Sequence, residues 1–150
     1  MTLSSSPSQP LPEAGAVLNF SDGFDGMPVL IIDDEPTVRE SMQALMQRWD
    51  CKVLTAGSKA EALEVLAVSG SIPEIVLADY HLDQQSTGCD AIQSLRQHFA
   101  REIPAAILTA DHSDETRALL RAQHLPILNK PVKPNRLRAL MIGLLAAASC

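Results

Sequence analysis

The sequence has 150 residues, of which 46% are hydrophobic and 3% aromatic, and its 12 basic and 18 acidic side chains give a net charge of −6. This length favours a single domain, and the acidic balance argues against direct nucleic-acid binding. No segment reaches the run of about 20 apolar residues that a membrane-spanning helix needs, and three scattered cysteines offer neither a disulfide framework nor zinc-site spacing, so we expect a reduced, cytoplasmic setting without membrane insertion.

Residues 1–26 differ in composition from the rest of the chain. Seven of the first twelve positions are Ser or Pro, and such a segment cannot bury enough apolar surface to offset the entropy lost on ordering. We therefore predict that residues 1–26 form a flexible tail or an interdomain linker, and that residues 27–148 form the folded domain.

From residue 27 onward, short apolar runs alternate with amphipathic stretches. The predicted strands span residues 29–32, 52–55, 74–78, 104–108 and 126–129. Apolar residues at helical spacing follow each strand, beginning near Pro36, Ser58, Cys89, Ser113 and Pro134. Five βα units of this kind predict an α/β fold, in which helices cover both faces of a parallel sheet.

The apolar spacing also predicts which residues of each helix face the sheet. For the second helix, the inner face is expected to include Leu63, Leu66 and Ala67. For the fourth helix, both Leu119 and Leu120 are expected to face inward.

Polar side chains follow four of the five predicted strands. Asp33, Asp34 and Glu35 come after the first strand, Asp79 after the third, Thr109 after the fourth and Lys130 after the fifth. Each residue taken alone has an ordinary structural explanation, such as an acidic helix start before Pro36. Ligands of open parallel sheets bind outside the carboxyl ends of the strands. The order of these polar residues along the chain, each after its own strand, therefore favours one shared site.

These residue types suit phosphoryl transfer. Clustered carboxylates repel one another and need a cation, and oxygen ligands on loops suit Mg²⁺. One carboxylate can then act as a nucleophile towards a phosphoryl group, while a lysine and a threonine hydroxyl neutralise and bind the phosphoryl oxygens.

At these residues the chain resembles the receiver domain of two-component response regulators, over residues 28 to about 147. The resemblance rests on five positions and the Lys-Pro pair, namely Asp33, Asp34, Asp79, Thr109 and Lys130-Pro131. It implies a flavodoxin-like (βα)5 doubly wound sheet with strand order 2-1-3-4-5. Residues 80–83 and 128–134 look most like the receiver at the C-terminus of hybrid sensor histidine kinases.

The resemblance also implies a role for each residue. Asp79 is the expected phosphoacceptor, and Mg²⁺ is expected to bind Asp33, Asp34, Asp79 and the backbone carbonyl of His81. Thr109 is the expected switch hydroxyl, and Lys130 is expected to contact the phosphoryl group. The peptide bond between Lys130 and Pro131 is usually cis in the family. Such a domain catalyses its own aspartyl phosphorylation without being a turnover enzyme.

Two features depart from the family pattern. The aromatic switch residue expected three positions before the lysine is replaced by Ile127. In the loop after Asp79, Asp83 replaces the usual proline and Gly88 comes one residue late. We expect this loop to be mobile, and both departures concern the output of the switch more than the phosphoacceptor chemistry.

Two other functions stay open on the sequence alone. A small hydrolase of the haloacid dehalogenase type also uses a strand-end aspartate, Mg²⁺, Thr and Lys, but it has a second acid two residues after the nucleophile, where this chain has His81. A pseudo-receiver would bind partners without being phosphorylated, but such domains normally lose one of the five residues.

The expected partner is a histidine kinase or a histidine phosphotransfer domain. By resemblance, the first helix contacts it, and Val38 is either part of that contact or part of the inner face of the helix. Residues 111–150 carry a net charge of +3, against −9 for residues 1–110. The basic end is either a docking face or a solvated face of the last two helices, through which a homodimer is also expected.

Overall fold

Five short parallel strands form one sheet in the part of the chain that the computed structural model describes, residues 24–82 and 86–148. The strands are β1 Pro28–Ile32, β2 Lys52–Ala56, β3 Ile75–Asp79, β4 Ala105–Thr109 and β5 Ile127–Asn129. Their order is β2-β1-β3-β4-β5, which confirms the predicted topology. Neighbouring pairs are in parallel register, for example Leu30 beside Val76 and Asp79 beside Leu108.

A helix follows each strand. The helices are α1 Pro36–Gln47, α2 Lys59–Ser69, α3 Gly88–Phe99, α4 Asp114–Ala122 and α5 Pro134–Ala148. Pro36 starts α1, where its missing N–H is not needed. Hydroxyl groups of Ser58, Thr87 and Ser113 accept hydrogen bonds from the first turns of α2, α3 and α4.

The helices cover the two faces of the sheet separately. On one face, Met42 and Met46 of α1 and Leu137 and Met141 of α5 pack against the sheet. On the other face, a second buried cluster joins the sheet to residues of α2, α3 and α4, among them Leu66, Ile92, Leu95 and Leu120. All five residues of both β3 and β4 are buried, as expected for strands covered on both sides.

The predicted inner faces of two helices need correction. Ala67 is exposed, and Ala62 takes its place in the core beside Leu66. Leu119 is 45% exposed, whereas Leu120 is fully buried. Adjacent helix residues point about 100° apart, and in α4 this places Leu120 against the sheet and Leu119 on the exposed side.

The folded part of the chain reaches further towards the N-terminus than predicted. Phe24 is only 6% exposed, and its ring centroid lies 6.1 Å from that of Trp49. The Gly26 N–H donates a hydrogen bond to the Asp50 carbonyl. The rest of the predicted tail, residues 1–23, lies outside the described residues. Among the described helices, none combines the length and apolar character needed to cross a membrane.

Candidate functional site

Three carboxylates meet where β1 and β3 end side by side. Asp33 and Asp34 follow β1, and Asp79 is the last residue of β3. Each offers an oxygen, and these oxygens lie within 4.8 Å of one another. Asp33 is fully buried and Asp79 is 9% exposed. β1 lies between β2 and β3, so the cluster occupies the point where strand order reverses, which is where open α/β sheets bind ligands.

The two acids after β1 are held in different ways. One Asp33 oxygen accepts a hydrogen bond of 2.9 Å from the Glu35 N–H, and the other accepts one of 3.0 Å from the Lys130 ammonium. The structure shows no hydrogen bond or ion pair of the Asp34 carboxylate with other described residues, and this side chain is half-buried. Asp33 is therefore a fixed part of the site, whereas Asp34 is available to a ligand.

Lys130 joins the two strands through its ammonium group. Its Nζ lies 3.0 Å from Asp33 Oδ2 and 3.2 Å from Asp79 Oδ1, with Glu35 Oε1 further away at 3.9 Å. The peptide bond between Lys130 and Pro131 is cis, as the family resemblance implies. The ammonium thus neutralises part of the acidic cluster, a contact that the sequence order alone did not predict.

The electrostatics of the cluster shift two pKa values. Burial raises the pKa of Asp79, and the nearby Asp33 charge raises it further, although Lys130 works in the opposite direction. Burial alone would lower the pKa of Lys130, but its hydrogen bond to Asp33 and the charges of Asp33 and Asp79 outweigh this and raise it. The site therefore holds a firmly charged ammonium beside a carboxylate whose ionisation is costly.

Thr109 reaches the same edge of the sheet, but its hydroxyl is engaged elsewhere. Thr109 is the last residue of β4 and is 1% exposed. Its Oγ1 accepts a hydrogen bond of 2.9 Å from the Asp111 N–H. The Asp111 carboxylate accepts bonds from the Ser113 N–H at 2.8 Å and the Thr116 hydroxyl at 2.7 Å, which lower its pKa to about 2. Thr109 is thereby connected to the first turn of α4.

This connection was not among the predicted features. Asp111 stands two residues before Ser113, the residue that caps α4. Aspartate commonly bonds the backbone two residues later, so the Asp-His-Ser order was the available signal.

The loop after Asp79 contains the other predicted residues. His81 is exposed, and its backbone forms a bridge with Thr87. The cluster of side chains able to share a cation contains the three aspartates and not His81. The predicted mobile segment around Asp83 falls on residues 83–85, outside the described part of the chain.

Ile127, at the position of the missing aromatic, packs half-buried against the core.

Gly88 is required by a close approach to the site. Its N–H donates a hydrogen bond of 2.9 Å to the Tyr80 carbonyl. A Cβ at this position would collide with the Asp79 carbonyl oxygen and with the side chains of Ile107 and Ala78. The start of α3 can therefore lie against the end of β3 only because residue 88 lacks a side chain.

The donor set fits Mg²⁺. This ion takes carboxylate oxygens at about 2.0–2.1 Å and retains several waters. Asp33, Asp34 and Asp79 supply oxygens close enough for one ion to draw them together. Asp34 and Asp79 both retain some exposure, which leaves the cluster open to solvent.

Comparison with known proteins identifies relatives of this chain. The sequence profile of the response regulator receiver domain matches residues 29–142. The chain is 34% identical over 113 residues to the response regulator protein PilR of Pseudomonas aeruginosa, covering 75% of this chain and 24% of that protein. It is 33% identical over 121 residues to the response regulator Rre1 of Synechocystis, covering 79% of this chain and 51% of that protein.

The fold matches solved structures as well. A response regulator receiver domain protein from Clostridium thermocellum superposes with a TM-score of 0.69 at 24% identity, over 82% of this chain and 97% of that one. This likeness concerns the fold. The two curated relatives extend well beyond the matched region, since the chain spans about a quarter of one and half of the other.

Proposed function

The chain belongs to the response regulator receiver domain family, and we propose from this premise that Asp79 accepts a phosphoryl group from a phosphohistidine. The observation that carries the proposal is the pair of salt bridges from Lys130 Nζ, 3.0 Å to Asp33 Oδ2 and 3.2 Å to Asp79 Oδ1. The half-buried Asp34 lies beside them. A nucleophilic carboxylate, a fixed cation and free oxygen ligands for a metal are the parts that phosphoryl transfer requires.

The chemistry follows from these positions. An Asp79 oxygen forms the new P–O bond as the P–N bond of the donor breaks, and the bonding electron pair returns to the imidazole nitrogen. Lys130, already 3.2 Å from Asp79, pairs with a phosphoryl oxygen. Asp33, Asp34, Asp79 and, by family resemblance, the His81 backbone carbonyl would hold Mg²⁺, which supplies charge neutralisation at the phosphoryl oxygens.

Thr109 is the proposed sensor of the phosphoryl group. Its hydroxyl lies at the end of β4, next to β3, and is bound to the Asp111 N–H. Rotation of this side chain towards a phosphoryl oxygen would break that bond and free the backbone of Asp111, the residue whose carboxylate binds the first turn of α4. Since Ile127 offers no aromatic ring to move, we propose that the change reaches the surface through α4.

The proposed partner is a histidine kinase or a histidine phosphotransfer domain, acting in the cytoplasm where ATP supplies the phosphoryl group. An apolar groove of about 540 Å³ lies beside Lys130. Its lining includes Val38, Met42 and Leu45 of α1 and Pro131 and Val132 after β5. We propose that this groove receives the histidine-bearing helix of the partner, which would bring the phosphohistidine next to Asp79.

We propose that Val38 has both of the roles that its sequence position suggested. It packs half-buried against the core cluster of α1 and α5 and also lines the groove. We expect Val38→Ser to reduce phosphotransfer from a partner while labelling by a small acyl phosphate stays unchanged. A parallel fall of both rates with the melting temperature would show that Val38 acts only in the core.

The resemblance to hybrid kinase receivers further suggests that this domain serves inside a phosphorelay. A homodimer through the last two helices is part of the proposal, supported by the 45% exposure of both Leu119 on α4 and Ile142 on α5. Sedimentation velocity with and without phosphorylation tests it, and a monomer under both conditions at micromolar concentration would refute it.

One experiment separates a receiver from a hydrolase. Incubation with Mg²⁺ and a small acyl phosphate should give about one phosphoryl group per chain, which is released slowly. The same preparation should show no multiple turnover on phosphomonoesters. Rapid turnover on phosphomonoesters, without a lasting phosphorylated form, would refute the receiver proposal.

A further inference from the structure

The side chain of Arg39 in α1 contacts the backbone of the acidic site. The guanidinium Nη1 donates a hydrogen bond of 2.6 Å to the carbonyl oxygen of Asp33. This carbonyl belongs to the peptide unit that joins Asp33 to Asp34, so its orientation determines how the Asp34 side chain is presented. Arg39 is half-buried, unlike Arg48 just beyond the other end of α1, which is exposed.

The opposite side of the same residue is also fixed. The Asp33 N–H donates a bond of 3.0 Å to the Ala56 carbonyl at the end of β2. Both main-chain polar groups of Asp33 therefore have defined partners, one supplied by the sheet and one by Arg39. The Asp33 N–H belongs to the peptide unit before Asp33, whereas Arg39 binds the carbonyl of the peptide unit between the two acids. Loss of Arg39 would remove that hydrogen bond, and the Asp33 N–H would keep its own.

Gly57 leaves the space that the guanidinium occupies. A Cβ at this position would lie 3.1 Å from Arg39 Nη1 and 3.2 Å from Glu61 Oε1. The backbone of Gly57 has no positive φ, in contrast to Gly26 and Gly70. The glycine is thus explained by room for Arg39 and Glu61 and not by an unusual backbone conformation.

We infer that Arg39 is a positioning residue for cation binding, which holds the peptide unit between Asp33 and Asp34 so that Asp34 faces the metal position. The inference rests on the proposed function and extends it to a residue that touches neither metal nor phosphoryl group. The charge of Arg39 and its positioning role predict opposite effects on cation affinity. A positive charge near three carboxylates weakens cation binding, so its removal alone would strengthen binding, whereas loss of positioning weakens binding.

The test is a calorimetric titration of Mg²⁺ into the wild type, Arg39→Ala, Arg39→Lys and Gly57→Ala. Loss of groups that orient metal ligands commonly costs 10–100-fold in affinity, and we expect a Kd about tenfold higher for Arg39→Ala. Arg39→Lys should fall between Arg39→Ala and the wild type. Gly57→Ala should show a smaller increase, and the double variant should match Arg39→Ala, because Gly57 acts through Arg39. Arg48→Ala, at the far end of the helix, is the matched control.

Two readouts separate positioning from stability alone. In the absence of metal, the Asp34 amide should exchange faster with solvent in Arg39→Ala than in Arg48→Ala. The Mg²⁺ concentration for half-maximal labelling by acetyl phosphate should rise, while the rate at saturating Mg²⁺ stays near that of the wild type. A generally destabilised domain would lose rate at all Mg²⁺ concentrations.

The outcomes distinguish the two claims. A wild type that neither binds Mg²⁺ nor accepts phosphate would overturn the proposed function, and the inference with it. A wild type that does both, together with an Arg39→Ala variant of equal or higher Mg²⁺ affinity, would overturn the inference and leave the proposed function intact.

Discussion

Replacement of Lys130 by methionine removes the ammonium and keeps most of the apolar stem. The ammonium lies 3.0 Å from Asp33, which is fully buried, and 3.2 Å from Asp79. Removal of one partner from a buried ion pair typically costs about 3–5 kcal/mol, because the remaining charge is left uncompensated. The side chains of Lys130 and Asp79 are 17% and 12% exposed, and solvent screening reduces the expected loss to about 2–3 kcal/mol.

The assay is thermal unfolding without divalent cations. At about 2–4 °C per kcal/mol for a domain of this size, the melting temperature of Lys130→Met should fall by about 5–10 °C. The matched control is Lys133→Met, an exposed lysine three residues later. Saturating Mg²⁺ should narrow the gap between Lys130→Met and the wild type, since the metal supplies the missing positive charge and stabilises by binding the folded state.

The pH dependence of this difference has a defined sign. The pKa of Lys130 is raised above its usual 10.5 by Asp33 and Asp79, against the effect of burial. A raised lysine pKa gives stability that is fully present below 10.5 and is lost as pH rises through the folded-state value. Lys130→Met should therefore differ from the wild type throughout the neutral range. Equal melting temperatures at pH 7 without Mg²⁺ would refute the view that Lys130 neutralises the acidic cluster.

Three further predictions concern the carboxylates. Asp79→Asn should unfold at a higher temperature than the wild type at pH 7, because burial and the Asp33 charge raise the pKa of Asp79 and make its ionisation costly. The gain in melting temperature should disappear below pH 3.8, where the carboxyl is protonated in both the folded and the unfolded state. Equal melting temperatures at pH 7 would contradict this prediction. Asp34→Ala should stabilise the metal-free protein by relieving repulsion between carboxylates, whereas Asp33→Ala should destabilise it by removing the acceptor for the Glu35 N–H and Lys130. Denaturant unfolding measures both variants, and equal changes in the free energy of unfolding would refute this difference between the two acids. The pKa of Asp111, lowered to about 2 by its bonds to Ser113 and Thr116, should give stability that is present above the usual 3.8 and lost as pH falls through 2; an NMR titration midpoint near 3.8 would disprove it.

The fold was predictable because the strands are buried on both faces. Runs such as Val29–Ile32 and Ile75–Ala78 stand out in the sequence for that reason. The predicted third and fourth strands ended one residue early, at Ala78 and Leu108. Asp79 is a loop residue by type, and Thr109 ends an apolar run with a polar side chain, but the sheet pairing continues through both, with Asp79 beside Leu108 and Thr109 beside Asn129.

The candidate site was predictable in its members and less so in its contacts. Strand order brings the carboxylates together, and the family resemblance implied this order, whereas the alternation of strands and helices predicts only a covered parallel sheet. The partner of Lys130 and the orientation of the Thr109 hydroxyl depend on distances of about 3 Å, and spacing along a chain does not determine these. Arg39 was overlooked for the same reason, because its acceptor is a backbone carbonyl six residues earlier.

The central claim is that Asp79 is the phosphoacceptor, and locating the phosphoryl group tests it most directly. The protein is incubated with acetyl phosphate and Mg²⁺, the acyl phosphate is trapped by borohydride reduction, and the modified residue is identified by tandem mass spectrometry. The account predicts modification at Asp79 in the wild type, none with a chelator present and none in Asp79→Asn. Modification at another residue of the wild type, or uptake by Asp79→Asn at the wild-type rate, would contradict it.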